Sequence, residues 1–362
     1  MSRLLEVRGL TVELPTPAGW VCPVNDVSLS IEAGQTLGLV GESGSGKTML
    51  SLALMGLLPA GAKVSGEAWL ESAHPGELKE PGTMQGRVEQ NAGMGRKNLA
   101  GLREGDWQKV RGGEIAMVFQ EPMTSLNPVM SVGAQVAEAI RAHDPQLSSS
   151  AVQQRTIAAL RRAAVPEPET RAKQFPHQLS GGLRQRAMIA MALAAEPRLL
   201  IADEPTTALD VTVQKQVLAL LDQLRREMRL GMLFITHDLG VVAQVADHVA
   251  VMYAGRIVEH GAMHDVLTTP RHPYTQGLLA ASPTLERGKL KPIPGSVPQL
   301  TELPPGCAFA PRCAFRRDEC ERAVPELFPI APLPPSPGQS TTHAARCVLV
   351  AEGARATHEL MT

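Results

Sequence analysis

One octapeptide, "GESGSGKT" at residues 41–48, limits what this chain can fold into more than any other stretch. It follows the apolar run Thr36-Leu37-Gly38-Leu39-Val40 and precedes Met49-Leu50-Ser51-Leu52-Ala53-Leu54-Met55, so it sits between a buried strand and the start of a helix over residues 47–58. The spacing Gly41-x-x-x-x-Gly46-Lys47-Thr48 is that of a phosphate-binding loop. Backbone N–H groups from Gly41, Ser43, Gly44, Ser45, Gly46, Lys47, Thr48 and Met49, together with the helix N-terminus, can wrap a triphosphate. Lys47 is placed to neutralise the β- and γ-phosphates, Thr48 offers Mg²⁺ a hydroxyl oxygen, and the glycines let the backbone approach without a Cβ collision.

A second stretch supplies the acids that such a loop needs. "LLIADEP", residues 199–205, is an apolar strand ending in two carboxylates at the edge where ligands sit in parallel sheets. Asp203 can hold magnesium, and Glu204 can orient and partly deprotonate the attacking water, because phosphoryl transfer requires positioning more than covalent chemistry. The run 232–235 is a further fully apolar strand, and the intervening helix places Val217, Leu221 and Leu224 on one face for the core. A third stretch, "LSGGLRQR" at residues 179–186, puts Ser180, Gly181 and Gly182 at a helix start, where the serine alone reads as an N-cap.

Taken together these motifs resemble ATP-binding cassette (ABC) ATPases, whose signature LSGGQ is similar to Leu179-Ser180-Gly181-Gly182-Leu183, with leucine in place of the usual glutamine. The resemblance implies further roles. Gln120, at the end of "IAMVFQ", corresponds to the Q-loop glutamine that reaches Mg²⁺ and the attacking water. Ala208-Leu209-Asp210 resembles the D-loop, and His237 in "FITHD" the switch histidine at the γ-phosphate. The family commonly stacks adenine on an aromatic residue before the second strand; alignment puts Ala18 there, with Trp20 two residues later as a candidate substitute. The implied cofactors are ATP and Mg²⁺.

The expected architecture is therefore α/β: a RecA-like parallel-sheet core, an antiparallel β-subdomain opening the chain, and an α-helical subdomain at about residues 122–180. Residues 72–113, rich in Gly, Gln, Glu and Asn, read as an irregular insertion. A chain of 362 residues exceeds what one core usually covers, so residues 1–284 are expected to form the ATPase domain and 285–362 a loop-rich second unit. Twelve of the 29 prolines lie between residues 292 and 337.

"FQEPMTSLNP" (residues 119–128), "HPYTQGLL" (272–279) and "LPPGCAFAPRC" (303–313) narrow the resemblance to the ATPase subunits of bacterial dipeptide and oligopeptide importers, a group that includes nickel importers. This implies a second ATPase subunit, a sister chain in preference to a second copy. It also implies two membrane permeases, an extracytoplasmic substrate-binding protein, and a peripheral position at the cytoplasmic face of the inner membrane. Peptide uptake is the leading expectation, with nickel or another small solute as alternative, and a soluble non-transport cassette ATPase as the rival of another class. A net charge of -1 and 3% aromatic residues give no polyanion-attracting field and no base-stacking pattern, so nucleic acid is not an expected partner.

Four cysteines, Cys307, Cys313, Cys320 and Cys347, crowd the last quarter of the chain with gaps of five, six and 26 residues. Disulfides are disfavoured in a reducing compartment. Some members of the resembled group bind a four-iron, four-sulfur cluster here; zinc and free thiols stay open as alternatives.

Overall fold

The computed structural model describes residues 3–71, 95–121, 125–207, 209–282, 292–330 and 343–351. The chain opens with a long antiparallel hairpin, β1 (Arg3–Thr16) and β2 (Gly19–Glu32), as the alternation of apolar and polar residues predicts. After β3 (Thr36–Val40) come β4 (Lys63–Glu71) and β5 (Arg96–Asn98), which complete a four-stranded sheet in the order β2-β1-β4-β5.

β6 (Ile115–Val118), β7 (Leu199–Asp203), β8 (Gly231–Thr236), β9 (His248–Tyr253), β10 (Arg256–Ala262), β11 (Phe328–Pro329) and β12 (Ala344–Ala345) join β3 in an eight-stranded sheet. Its order is β11-β12-β10-β9-β3-β8-β7-β6. Pairing is parallel from β6 through β7, β8 and β3 to β9, and antiparallel from β9 outward. Strands β3, β7 and β8 are buried along their whole length because both faces of the sheet are covered. Successive residues serve opposite cores: Leu199 and Ile201 pack toward the β-subdomain, Leu200 and Ala202 toward the helical side.

That helical side holds Val132–His143, Ser149–Arg162 and Gly181–Ala192. Each begins with a serine N-cap whose hydroxyl accepts a backbone N–H three residues on: Ser131 from Ala134, Ser148 from Ala151, Ser180 from Leu183. No helix among the described residues is long and apolar enough to cross a membrane.

Three boundaries differ from the sequence reading. The helix after the phosphate loop ends at Leu54, not before Pro59, because Gly56 takes φ 61° against the Trp107 indole; a Cβ there would lie 2.3 Å from the ring. The expected insertion at 72–113 is shorter than proposed. Residues 72–94 of it lie outside the described residues. From Arg96 onward β5 pairs with β4, and helix Glu104–Val110 buries Trp107 and Val110 in the core, while Arg111 donates to the carbonyls of Met55 and Gly56 at the end of the loop helix. The C-terminal segment is not a separate packed unit over its described part. β11 and β12 extend the main sheet through β10, and Phe309, Ile293, Val297 and Leu303 pack on the main core.

Candidate functional site

The phosphate loop leaves β3 and enters helix Lys47–Leu54. Two glycines let it fit between neighbouring backbones. A Cβ at Gly41 would lie 2.2 Å from the Met252 carbonyl oxygen in β9, and one at Gly46, where φ is 105°, 1.9 Å from that of Pro23 in β2. Lys47 is buried, and its Nζ donates to the Gly41 carbonyl (2.7 Å), the Glu42 carbonyl (3.0 Å) and Ser45 Oγ (3.3 Å). Burial pushes the Lys47 pKa down, and the carboxylates of Glu204, Asp203 and Glu42 push the other way.

Asp203 ends β7 with its side chain buried, and its Oδ1 has no hydrogen-bond partner. Burial raises its pKa, while hydrogen bonds with the side chains of Thr48 and Ser51 lower it. An orphaned carboxylate oxygen beside Thr48 is a donor set that suits Mg²⁺, a hard cation that takes oxygen ligands, so the residues present fit that ion.

Glu204 follows directly at φ 47°, an uncommon backbone for a non-glycine residue that turns the chain out of the strand. Its N–H donates to the Ile235 carbonyl (2.9 Å), which ties it to β8. Its carboxylate accepts from Thr207 Oγ1 (2.8 Å) and Gln120 Nε2 (3.3 Å), and His237 Nδ1 lies 3.3 Å from Oε1. The His237 hydrogen bond is the main cause that holds the Glu204 pKa below its ordinary value; reciprocally, Glu204 raises that of His237. Two residues that lie 84 and 33 positions from Glu204 in the chain, Gln120 and His237, thus converge on its carboxylate.

A cavity of about 1190 Å³ opens in front of them. Ser43, Gly44, Gly46, Lys47, Thr48, Met49, Gln120, Glu204 and His237 line it; Gly41, Ser45 and Asp203 are not part of its wall, and Ser45 and Asp203 are buried. Sequence reasoning missed two parts of the wall. Leu14, Val21 and Pro23 come from the hairpin, and Ser296, Val297 and Leu300 from the proline-rich extension, where no motif marks them. Trp20 does not line the cavity. It is half exposed with Lys63 Nζ 3.9 Å from its ring centroid, and nothing in this placement supports adenine stacking on it.

Ser180 and Gly181 are exposed and, with Gly182, lie outside this cavity. Gly182 is close-packed: a Cβ would lie 2.8 Å from Val213. Asp210 caps helix Val211–Met228 by accepting from the N–H groups of Thr212 and Val213 (3.0 and 2.9 Å). Ala208 of the same motif lies outside the described residues.

Cys307, Cys313, Cys320 and Cys347 all line a second, narrow cavity with His272, Phe309 and Phe315. Burial drives the thiol pKa up, to about 11 for Cys307, and upward for Cys313 and Cys347. Yet among the described residues no group of three or more His, Cys, Asp or Glu side chains could hold a metal ion. The arrangement of the four thiols thus supports neither the cluster nor the zinc expectation.

A phosphate loop at the carboxyl end of a central parallel strand, facing an acid pair, a glutamine and a histidine at one cavity, defines a P-loop nucleotide-binding protein. Residues 24–207 match the ABC transporter family, and residues 258–320 match the oligopeptide/dipeptide transporter C-terminal region. The chain is 46% identical over 334 residues to the oligopeptide transport ATP-binding protein OppD of Bacillus subtilis, covering 91% of this chain and 87% of that one. It is likewise 46% identical to OppD of Salmonella typhimurium over 324 residues, 89% of each. Among solved structures, the ADP- and phosphate-bound dimer of the ATP-binding cassette MJ0796 aligns with a TM-score of 0.58 at 24% identity, covering 72% of this chain and 98% of that one. That likeness bears on the fold. The chain belongs to the ATP-binding subunits of the ABC transporter family and carries the oligopeptide/dipeptide C-terminal region.

Proposed function

We infer that this chain is the ATP-binding and ATP-hydrolysing subunit of an ABC importer, and that it energises uptake of oligopeptides or dipeptides. The observation that carries the reading is the convergence of Gln120, Glu204 and His237 on the cavity lined by the phosphate loop, in a chain 46% identical to OppD over most of its length.

The chemistry follows from the placement. Loop amides and Lys47 hold the triphosphate, while Thr48, Asp203 and Gln120 would hold Mg²⁺. That ion supplies charge neutralisation on the phosphates. Glu204, kept ionised by His237, orients the attacking water and accepts its proton; Gln120 and Thr207 fix the carboxylate against rotation. His237, in the same cluster and lining the cavity, would contact the γ-phosphate.

Ser180 and Gly181 are exposed at a helix N-terminus, with Gly182 packed behind them, and all three lie away from this chain's own cavity. That placement supports their acting on ATP held by a second ATPase subunit, with Asp210 at the same interface. A sister chain as that subunit, two permeases, an extracytoplasmic binding protein and attachment at the cytoplasmic face of the membrane complete the proposed assembly. A division into an ATPase domain (1–284) and an extension (285–362) remains useful as a division of labour. A four-iron, four-sulfur cluster on Cys307, Cys313, Cys320 and Cys347 is the finer proposal for the extension; it is supported by their shared cavity and opposed by the lack of a metal-holding set among the described residues. Iron and sulfide analysis of anaerobic protein decides it.

The functional test is reconstitution of the chain with its sister ATPase, permeases and binding protein in vesicles. Peptides should stimulate ATP hydrolysis and accumulate inside. Stimulation by nickel chelates and not by peptides would overturn the substrate class.

A further inference from the structure

Glu42, the second residue of the phosphate loop, is held from the far end of the chain. Its backbone N–H donates to Tyr274 Oη at 2.8 Å. Its carboxylate accepts both terminal nitrogens of Arg312, Nη1 to Oε2 at 2.7 Å and Nη2 to Oε1 at 3.0 Å. Such a fork-to-fork pair fixes orientation as well as distance.

Arg312 is itself anchored. Its side chain is 5% exposed, against 32% for Glu42. Its Nε donates to the Pro294 carbonyl (2.8 Å), and Nη1 lies 3.4 Å from Tyr253 Oη. The rings of Tyr253, Tyr274 and Phe309 pack at centroid distances of 4.6, 5.3 and 5.4 Å, so the two groups that reach Glu42 rest on one aromatic cluster.

The other side of Glu42 faces the nucleotide cavity. The residue lines that cavity, its carbonyl accepts from Lys47 Nζ, and Ser296, Val297 and Leu300, which lie between Pro294 and Arg312 in the chain, line the same cavity. The extension therefore walls the cavity and grips the loop at once.

We propose that Arg312 and Tyr274 are positioning residues for nucleotide binding: Tyr274 from helix Pro273–Ala281 and Arg312 from the C-terminal extension together clamp the Glu42 end of the phosphate loop and so set the affinity for ATP. The proposal rests on the loop being an ATP site. It goes beyond that reading by making nucleotide affinity a property of a segment 270 residues away in sequence. Neither residue touches the reacting atoms, so the clamp acts on binding and leaves the chemical step alone.

The test uses the full chain and Mg-ATP. Equilibrium binding and thermal midpoint are measured for wild type, Arg312→Gln, Glu42→Gln, the double variant, and Tyr274→Phe, which keeps the ring and loses only the acceptor. KM and kcat are measured in the assembled ATPase. Each of the two charge variants should bind ATP about tenfold more weakly, raise KM and hold kcat within about twofold, the signature of a lost binding contact. The double variant should be no weaker than either single one, because the pair shares one interaction. Tyr274→Phe should shift affinity in the same direction, and it carries the test if Arg312→Gln fails to fold.

Single variants that bind ATP as wild type does, additive losses in the double variant, or a fall in kcat at constant KM would each overturn the clamp. Wild-type protein that binds no ATP would instead overturn the functional reading itself.

Discussion

Replacing Gly46 with alanine separates two physical costs that the phosphate loop imposes. Both Gly44 (φ 80°) and Gly46 (φ 105°) adopt backbone conformations that L side chains avoid, at a cost of about 1–2 kcal/mol for alanine. They differ in their surroundings. Nothing lies within 4 Å of a Cβ built on Gly44, whereas at Gly46 that atom would stand 1.9 Å from the Pro23 carbonyl oxygen and 2.8 Å from Met252 Cε. The methionine tip can swing away, but the carbonyl belongs to β2, a strand paired with β1, and moving it adds an overpacking cost of about 1–3 kcal/mol. Gly46→Ala should therefore destabilise by about 2–5 kcal/mol and Gly44→Ala by about 1–2 kcal/mol. Calorimetric unfolding of the two variants without nucleotide gives the comparison. Since Pro23 also lines the nucleotide cavity, only Gly46→Ala should distort the hairpin side of the site as it unfolds more readily. Equal destabilisation of the two variants would refute the steric argument.

Two further predictions concern the acids. Asp203→Asn removes the charge behind the orphaned Oδ1 beside Thr48, so ATP binding should lose its dependence on Mg²⁺; titration of nucleotide with and without the ion reads this directly, and undiminished dependence would count against Asp203 as a ligand. For the Glu204 and His237 pair, the raised imidazole pKa contributes stability present below 6.5 and lost as pH rises through the folded value. The lowered carboxyl pKa contributes stability present above 4.5 and lost on acidification. The stability difference between wild type and His237→Gln should thus be greatest between pH 4.5 and 6.5 and shrink on both sides, and it should be small because the His237 side chain is 56% exposed. A difference that grows toward alkaline pH would contradict the assigned contact.

Much of the catalytic face was legible because its residues stand at element ends, where short motifs have fixed geometry. The loop after β3, the acids at the end of β7 and the histidine after β8 follow from apolar runs bounded by polar residues. What stayed hidden depends on contacts that leave no periodic trace. Helix Glu104–Val110 buries only Trp107 and Val110 of its seven residues, too few to show a helical repeat, so it was read as part of an insertion. β11 and β12 are two residues each and become strands only by adding to β10. The Arg312 and Glu42 pair spans most of the chain, and nothing local in "APRC" signals a partner in the phosphate loop. Trp20 stands near the position where an aromatic residue is expected, yet it contacts Lys63 and does not line the cavity.

The proposed cycle requires ATP to be shared between the loop of one subunit and the serine-glycine helix tip of another. The decisive measurement is sedimentation of Glu204→Gln with the proposed sister ATPase, in the presence and absence of Mg-ATP. Blocking turnover should leave ATP bound and convert the two chains into a stable pair, and a second change, Ser180→Arg, should abolish that pair while each chain still binds nucleotide. If Glu204→Gln binds ATP yet sediments identically with and without it, the shared site does not exist.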